Sequence, residues 1–387
     1  MNRYRDAERG QAIVIAVFVI VGLLAVTGLA IDGGSAMLER RRMQNAADAA
    51  ALAATRILAI EMCSTNDVET ADGLIRDEML LQAGNNGVEN LAAVQGQYVR
   101  YTTDGIAPYD PPVLVGAGVI PHGAVGVRVT TAISRATHFL GLVGQQTAGA
   151  GANATAITGP PLQGSGIRPF GLPYEAVANA DPGDCFTVVF KNCTADDETS
   201  CPIEDESGNV VGHHRNWLNL GWVWNAHEAG AGWPRCVDSS GDAAILKELM
   251  RNGWQGTIIP DCYGWDSGCR IGDFAHAKPG TTSSPIGEAP EDEIIYLPVF
   301  DKTPSYPPIP APKPVDATQG GGYYYHIVDL VPVEVVDQRR GQGEIDVCLL
   351  DSDIIIPNGQ ANPAAGGYGS TRQCALRPRA IAVTLWR

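Results

Sequence analysis

His227-Glu228 opens an H-E-x-x-H zinc-protease pattern, but Ala231 stands where the second imidazole belongs. One helix face then offers a metal one ligand where the motif needs two. His213 and His214 sit side by side in a segment expected to be a loop, and read as a surface pair. Asp238-Ser239-Ser240-Gly241-Asp242 approaches a D-x-S-x-S cation loop, yet Asp242 replaces the second Ser and no apolar strand leads into it. A turn closed by the N-cap of a following helix explains those residues better. Gly149-x-Gly151-x-x-Ala154 has the letters of a dinucleotide fingerprint without the strand, helix and later acidic residue that make one. No nucleophile elbow, phosphate loop or catalytic carboxylate pair occurs. The sequence therefore names no catalytic residue, cofactor site or metal site, and the expectation is a non-enzymatic protein.

Cysteine and tryptophan carry more information. Eight of the nine cysteines (Cys185, Cys193, Cys201, Cys236, Cys262, Cys269, Cys348 and Cys374) fall after residue 180, with no C-x-x-C pair. Such spacing suits disulfides better than zinc. Eight cysteines allow 105 pairings, so spacing assigns none; the short loops Cys185 to Cys193 and Cys262 to Cys269 are the natural local bridges. Cys63 is left odd, either free or paired between subunits. Six of the seven tryptophans (Trp217, Trp222, Trp224, Trp233, Trp254 and Trp265) crowd into one stretch, with Trp222 and Trp224 on one strand face. They read as core filling or as an exposed platform for glycan or partner recognition.

The elements that hold these residues follow from charge and hydropathy. The 387-residue chain carries a net charge of −16, which argues against sequence-independent binding to nucleic acid. The first 61 residues are close to neutral, so the acidity belongs to the remainder, along with the clustered cysteines. Between Arg9 and Asp32 there is no charged residue, and residues 12–31 read AIVIAVFVIVGLLAVTGLAI. As a helix this run is about 30 Å long, the thickness of a hydrocarbon core. A single membrane span is the first reading; a cleaved signal ending at Gly28-Leu29-Ala30 is the second. Residues 35–60 continue as a helix free of Pro and Gly. Their apolar stripe, Met43, Ala47, Ala50, Ala54 and Ile57, steps by 4, 3, 4 and 3. A stripe so thin suits close approach of a second helix in a bundle or filament, or self-association, better than burial under a globular domain; a plain stalk is the alternative. Arginines flank the span on both sides, so cysteine placement sets orientation: the N-terminus inside and the body in an oxidising exterior.

Gly10-Gln11-Ala12, Gly28-Leu29-Ala30-Ile31-Asp32-Gly33-Gly34 and Arg41-Arg42-Met43-Gln44-Asn45-Ala46-Ala47-Asp48-Ala49-Ala50-Ala51-Leu52-Ala53-Ala54 together resemble the N-terminal module of TadE/TadG-like proteins of Flp pilus assembly. The resemblance covers residues 10–58 and rests on Gly10, Asp32, Gly34, Arg41, Gln44, Asn45 and Asp48. It implies an envelope protein of the bacterial inner membrane, anchored by one pilin-like helix, with other assembly proteins as partners. Prepilin-peptidase substrates carry Glu five residues after the cut; after Gly10 that position is Ile15. The match is therefore closer to the TadG type, which stays in the membrane as an assembly factor.

The expected fold is α+β in three parts: residues 1–61 as span and stalk, a small α+β domain at 62–160, and a β-rich, disulfide-bonded domain at 165–387. The second part holds a helix over 71–81, strands over 95–102, 124–132 and 148–158, and a helical turn within 135–143 that turns Phe139, Leu140 and Val143 inward. The third holds strands over 185–191, 217–224, 256–260, 293–300, 323–336, 344–350 and 380–386, and a helix over 242–252. Residues 303–314 hold six prolines, too many for a sheet interior. The functional expectation is a membrane-anchored pilus-assembly component; a surface adhesin or carbohydrate-binding module on a stalk is the rival.

Overall fold

The computed structural model describes residues 5–63, 67–159, 161–190, 201–214, 217–219, 222–224, 236–238, 243–254, 260–261, 270–271, 274–278, 284–300, 324–350, 353–357, 359–361, 363, 367–369 and 379–386. Two compact units form, Met1–Leu58 with Thr65–Ala156 and Leu385–Arg387, and Ala59–Ser64 with Ile157–Thr384. The stalk helix and the segment that follows it make one unit.

The reason lies in helix α1, Arg5–Glu61, which is one continuous element exposed to two different environments. From Ile13 to Ile31 every residue except Gly28 is exposed, and this apolar run is long enough to cross a membrane. From Met43 onward one face disappears from solvent: Met43, Ala46, Ala47, Ala50, Ala51, Ala54, Thr55 and Leu58 are all buried. This face packs on an antiparallel sheet with strand order β2-β1-β3-β4, where β1 is Gln95–Thr102, β2 Gly105–Pro108, β3 Ala124–Ala136 and β4 Thr147–Gly159.

Two hydrogen-bonded points on β3 pin the helix. The hydroxyl of Thr131 donates to Met43 O at 3.0 Å, and the hydroxyl of Thr55 accepts from Val127 N–H at 3.2 Å. Thr55 also donates to Ala156 O on β4 at 3.2 Å. Val125, Val127, Val129 and Thr131 alternate onto the buried side of β3, as a strand with one covered face requires. Alanine lets the helix axis approach this sheet closely, so the stripe read as a helix-to-helix seam is the core of the protein's own domain. Ile57, counted in that stripe, is only half-buried, and Leu58 takes the inner position.

Helix α2, Val68–Asn85, starts on an Asp67 N-cap that accepts from Thr70 N–H. It contributes the buried Asp72, whose carboxylate accepts from Tyr98 Oη at 2.6 Å and from Gly116 N–H and Gly118 N–H at 2.9 and 2.6 Å. Both glycines have positive φ. The loop between β2 and β3 is thus folded around one anion that has no solvent to turn to.

The second unit is built on a sheet whose central strands are Tyr324–Arg339, Glu344–Leu349, Cys185–Val189 and Cys201–Asp205, neighbouring in that order. Ile294–Phe300 pairs antiparallel with Tyr324–Arg339. The stretch expected as one strand over 217–224 is two: Trp217–Asn219 pairs with Phe274–Lys278, and Trp222–Trp224 with Cys236–Asp238. The core joins Phe170, Phe190 and Trp217, with Phe190 and Trp217 stacked at 4.2 Å between ring centres. His214 is buried against Phe190, its Nε2 2.8 Å from Val189 O. The expected loop pair His213-His214 is therefore part of the strand Val210–His214, where alternation sends adjacent side chains to opposite faces.

Cys185 and Cys348 form a disulfide between directly paired positions of adjacent strands. This corrects the local Cys185 to Cys193 bridge: antiparallel pairing brings together two residues 163 positions apart in sequence. Cys63 and Cys201 are disulfide-bonded as well, so Cys63 is not a free thiol. Cys193, Cys262, Cys269 and Cys374 lie outside the described residues, as do residues 303–314 and the H-E-x-x-A segment.

Two buried arginines close helix ends in this unit. Arg168 donates to Gly166 O and to Arg251 O in the last turn of the helix Ala243–Asn252. Burial pulls its guanidinium down to about 10. Arg379 donates to Ala59 O and pairs with Asp353 at 2.7 Å. It supplies the cation that the last turn of α1 lacks in its own sequence.

Candidate functional site

The first unit's distinctive chemistry lies where α1 leaves its apolar run. Gly28 and Asp32 are four residues apart and share one helix face. Asp32 is 4% exposed, and its carboxylate accepts three backbone N–H groups from the turn between β3 and β4. Oδ1 takes His138 N–H at 2.9 Å, and Oδ2 takes Phe139 N–H at 2.9 Å and Leu140 N–H at 2.6 Å. The bond from Leu140 contributes most to holding this carboxyl below the ordinary aspartate range. A 3₁₀ turn, Leu140–Val143, begins there without a side-chain cap of its own. Asp32 serves as that cap from a distance of more than a hundred residues.

One turn earlier on the same face, Gly28 is buried by Phe139. A Cβ at Gly28 would lie 2.5 Å from Phe139 Cβ, so only glycine leaves room for the ring. Phe139 was expected to turn into the body of the domain; instead it is 38% exposed and lies on the helix beside the notch. The turn is held from below as well: Thr137 N–H donates to Gln146 O, and Thr137 Oγ1 to Gln145 O.

Further along α1, Glu39 sits 3.3 Å from Arg135, which also binds Glu89 at 2.7 Å. The Glu89 bond leads the causes that raise the Arg135 guanidinium above its usual range. Gln44 Nε2 donates to Asp48 Oδ1 at 2.8 Å and reaches Asn153 O on β4 at 3.4 Å. Arg41 and Asn45 are exposed, and Gly34 has open space around it. The motif residues thus divide into two sets: Asp32, Gln44 and Asp48 engage in hydrogen bonds within the unit, and Arg41, Asn45 and Gly34 face outward. Gly10 lies in the helical backbone of α1.

Residues 10–56 match the Tad family model, Flp pilus-assembly TadE/G-like. The similarity to that family is confined to this segment, 47 of the 387 residues. No curated protein and no solved structure gives a match to the chain. The matched segment spans the apolar run, the Gly28–Asp32 notch and the helix face through Thr55, which donates to Ala156 O on β4.

The residues that sequence reasoning missed are Phe139 and the N–H groups at 138–140. The signal was a glycine four residues before an aspartate at the end of an apolar helix, a notch followed by an acceptor. Of the possible binding platform, the backbone of Trp222–Trp224 is paired with Cys236–Asp238, and its side chains lie outside the described ones. Trp217, from the same cluster, is core.

Proposed function

We propose that this protein is a non-enzymatic, membrane-anchored assembly component of a Flp/Tad-type pilus or related secretion system, of the TadG type. The observation that carries the reading is the coincidence of the TadE/G-like match with an exposed apolar helix of membrane-crossing length. The anchor lies in the inner membrane, with the N-terminus inside and the chain beyond the span on the extracytoplasmic side. The disulfide-bonded cysteines of the body support that orientation, because such bonds persist in oxidising compartments.

The partners are other envelope proteins of the assembly machinery. Because Met43, Ala47, Ala50 and Ala54 are used inside the domain, α1 offers other chains two remaining surfaces. One is the exposed face of residues 13–31, where a copy of the same helix can pack; the other is the outward face bearing Arg41 and Asn45.

Deleting the gene in its bacterium tests the reading. Surface pili should be lost and should return with the full-length gene, but not with one lacking residues 1–31. Wild-type piliation in the deletion strain would refute it.

A further inference from the structure

We infer that the turn between β3 and β4, residues 137–146, is a second membrane contact: a foot whose Phe139 seats in the bilayer interface beside the end of the span. The inference rests on the anchor reading above and adds a lipid-binding surface to it.

Depth is the first argument. Gly28 lies three residues inside the end of the apolar run, and at 1.5 Å per residue this places it about 4–5 Å within the span. Phe139 fills the notch at Gly28, so the ring is held at that depth. The part of Phe139 that the helix leaves uncovered then faces lipid, where an exposed phenyl ring is stabilised instead of being a liability.

Backbone bookkeeping is the second. N–H groups that a turn carries to the edge of the hydrocarbon need partners within the protein. His138, Phe139 and Leu140 give theirs to Asp32, Gly144 to Gly141 O and Gln145 to Leu140 O. The carboxylate that caps the turn is itself shielded by those three donors.

Charge is the third. In a chain of net charge −16, no Asp or Glu occurs between Asp110 and Glu175, a stretch that contains Arg128, Arg135 and the whole turn. A surface that must approach anionic headgroups has to be free of acidic side chains, and this turn is. Arg40 and Arg41, exposed on α1 about 12–15 Å beyond the end of the span, lie within reach of the same headgroup layer.

Photocrosslinking tests the foot. A benzophenone amino acid is placed singly at Phe139, at Ile20 in the middle of the span, or at Tyr101 on β1, in the full-length chain in phospholipid nanodiscs. Adducts are read by mass spectrometry. Phospholipid adducts at both 139 and 20 with none at 101 are expected. Adducts at 20 alone overturn the foot and leave the anchor standing; adducts at neither position overturn the anchor and the foot with it. Protein–protein adducts at 139 without lipid adducts would make the turn a subunit contact and overturn the proposal.

Discussion

Ala50→Leu separates burial in the protein's own domain from packing against a neighbouring helix. Ala50 has no exposed surface and lies between the two points, Met43 O and Thr55 Oγ1, where β3 fixes α1. Leucine adds three carbons at this fully buried site, and overpacking of this kind costs about 1–3 kcal/mol. For a unit of roughly 150 residues, where each kcal/mol moves Tm by about 2–4 °C, the first unit's transition should fall by about 2–12 °C. Calorimetry of the detergent-solubilised chain reads it, since two units can melt separately. Val129 shares the buried side of β3 with Val127 and Thr131, so Val129→Ala opens space opposite the helix. The double variant should recover part of the loss, with a coupling of about 0.5–3 kcal/mol. An unchanged melt, within about 0.5 kcal/mol, together with a changed oligomeric state, would show that the stripe faces another chain and refute the reasoning.

Other perturbations follow from the notch and the disulfide. Gly28→Leu should lower the melting temperature of the first unit through its clash with Phe139, by about 1–3 kcal/mol, and Phe139→Ala in the same chain should restore most of it. Asp32→Asn puts an amide where a carboxylate accepts three N–H groups, and the effect depends on pH. The native pKa is depressed, so the stabilisation is complete above the ordinary aspartate pKa and is lost as pH falls through the native value. The difference in Tm between wild type and Asp32→Asn should therefore be full at neutral pH and close in strong acid. Cys185→Ser with Cys348→Ser removes a cross-link between residues 163 positions apart, worth up to about 5 kcal/mol in the loop-closure treatment. The second unit's transition should drop, and peptide mapping of the unreduced wild type should recover a Cys185–Cys348 peptide.

The sequence exposed elements well where one local pattern decided the outcome. The strand over 95–102 is found at those bounds, and the alternation after Ala124 places β3, although Ile133 and Arg135 prolong it to Ala136. The helix expected over 71–81 runs Val68–Asn85, because Asp67 caps it three residues earlier. The α+β class, the apolar helix and the TadE/G-like segment were all legible in residue types and spacing. What stayed hidden depends on distant contacts. A 4-3-4-3 alanine stripe has the same period whether a helix or a sheet covers it, and only Thr55, Thr131 and Val127 reveal which. Cys185 meets Cys348 because two strands pair, a fact absent from cysteine spacing. Phe139 looks like a core residue until Gly28 is seen to be its socket.

The central claim is that α1 leaves the membrane and becomes the spine of its own domain, without a free stalk between. Hydrogen exchange of the full-length chain in nanodiscs, resolved along α1 by mass spectrometry, tests it most directly. The account predicts slow exchange across residues 13–31, shielded by lipid, and slow exchange continuing through 43–58, released only when the first unit unfolds. Early exchange over 43–58 while 13–31 stays protected would mean an exposed stalk and contradict the account.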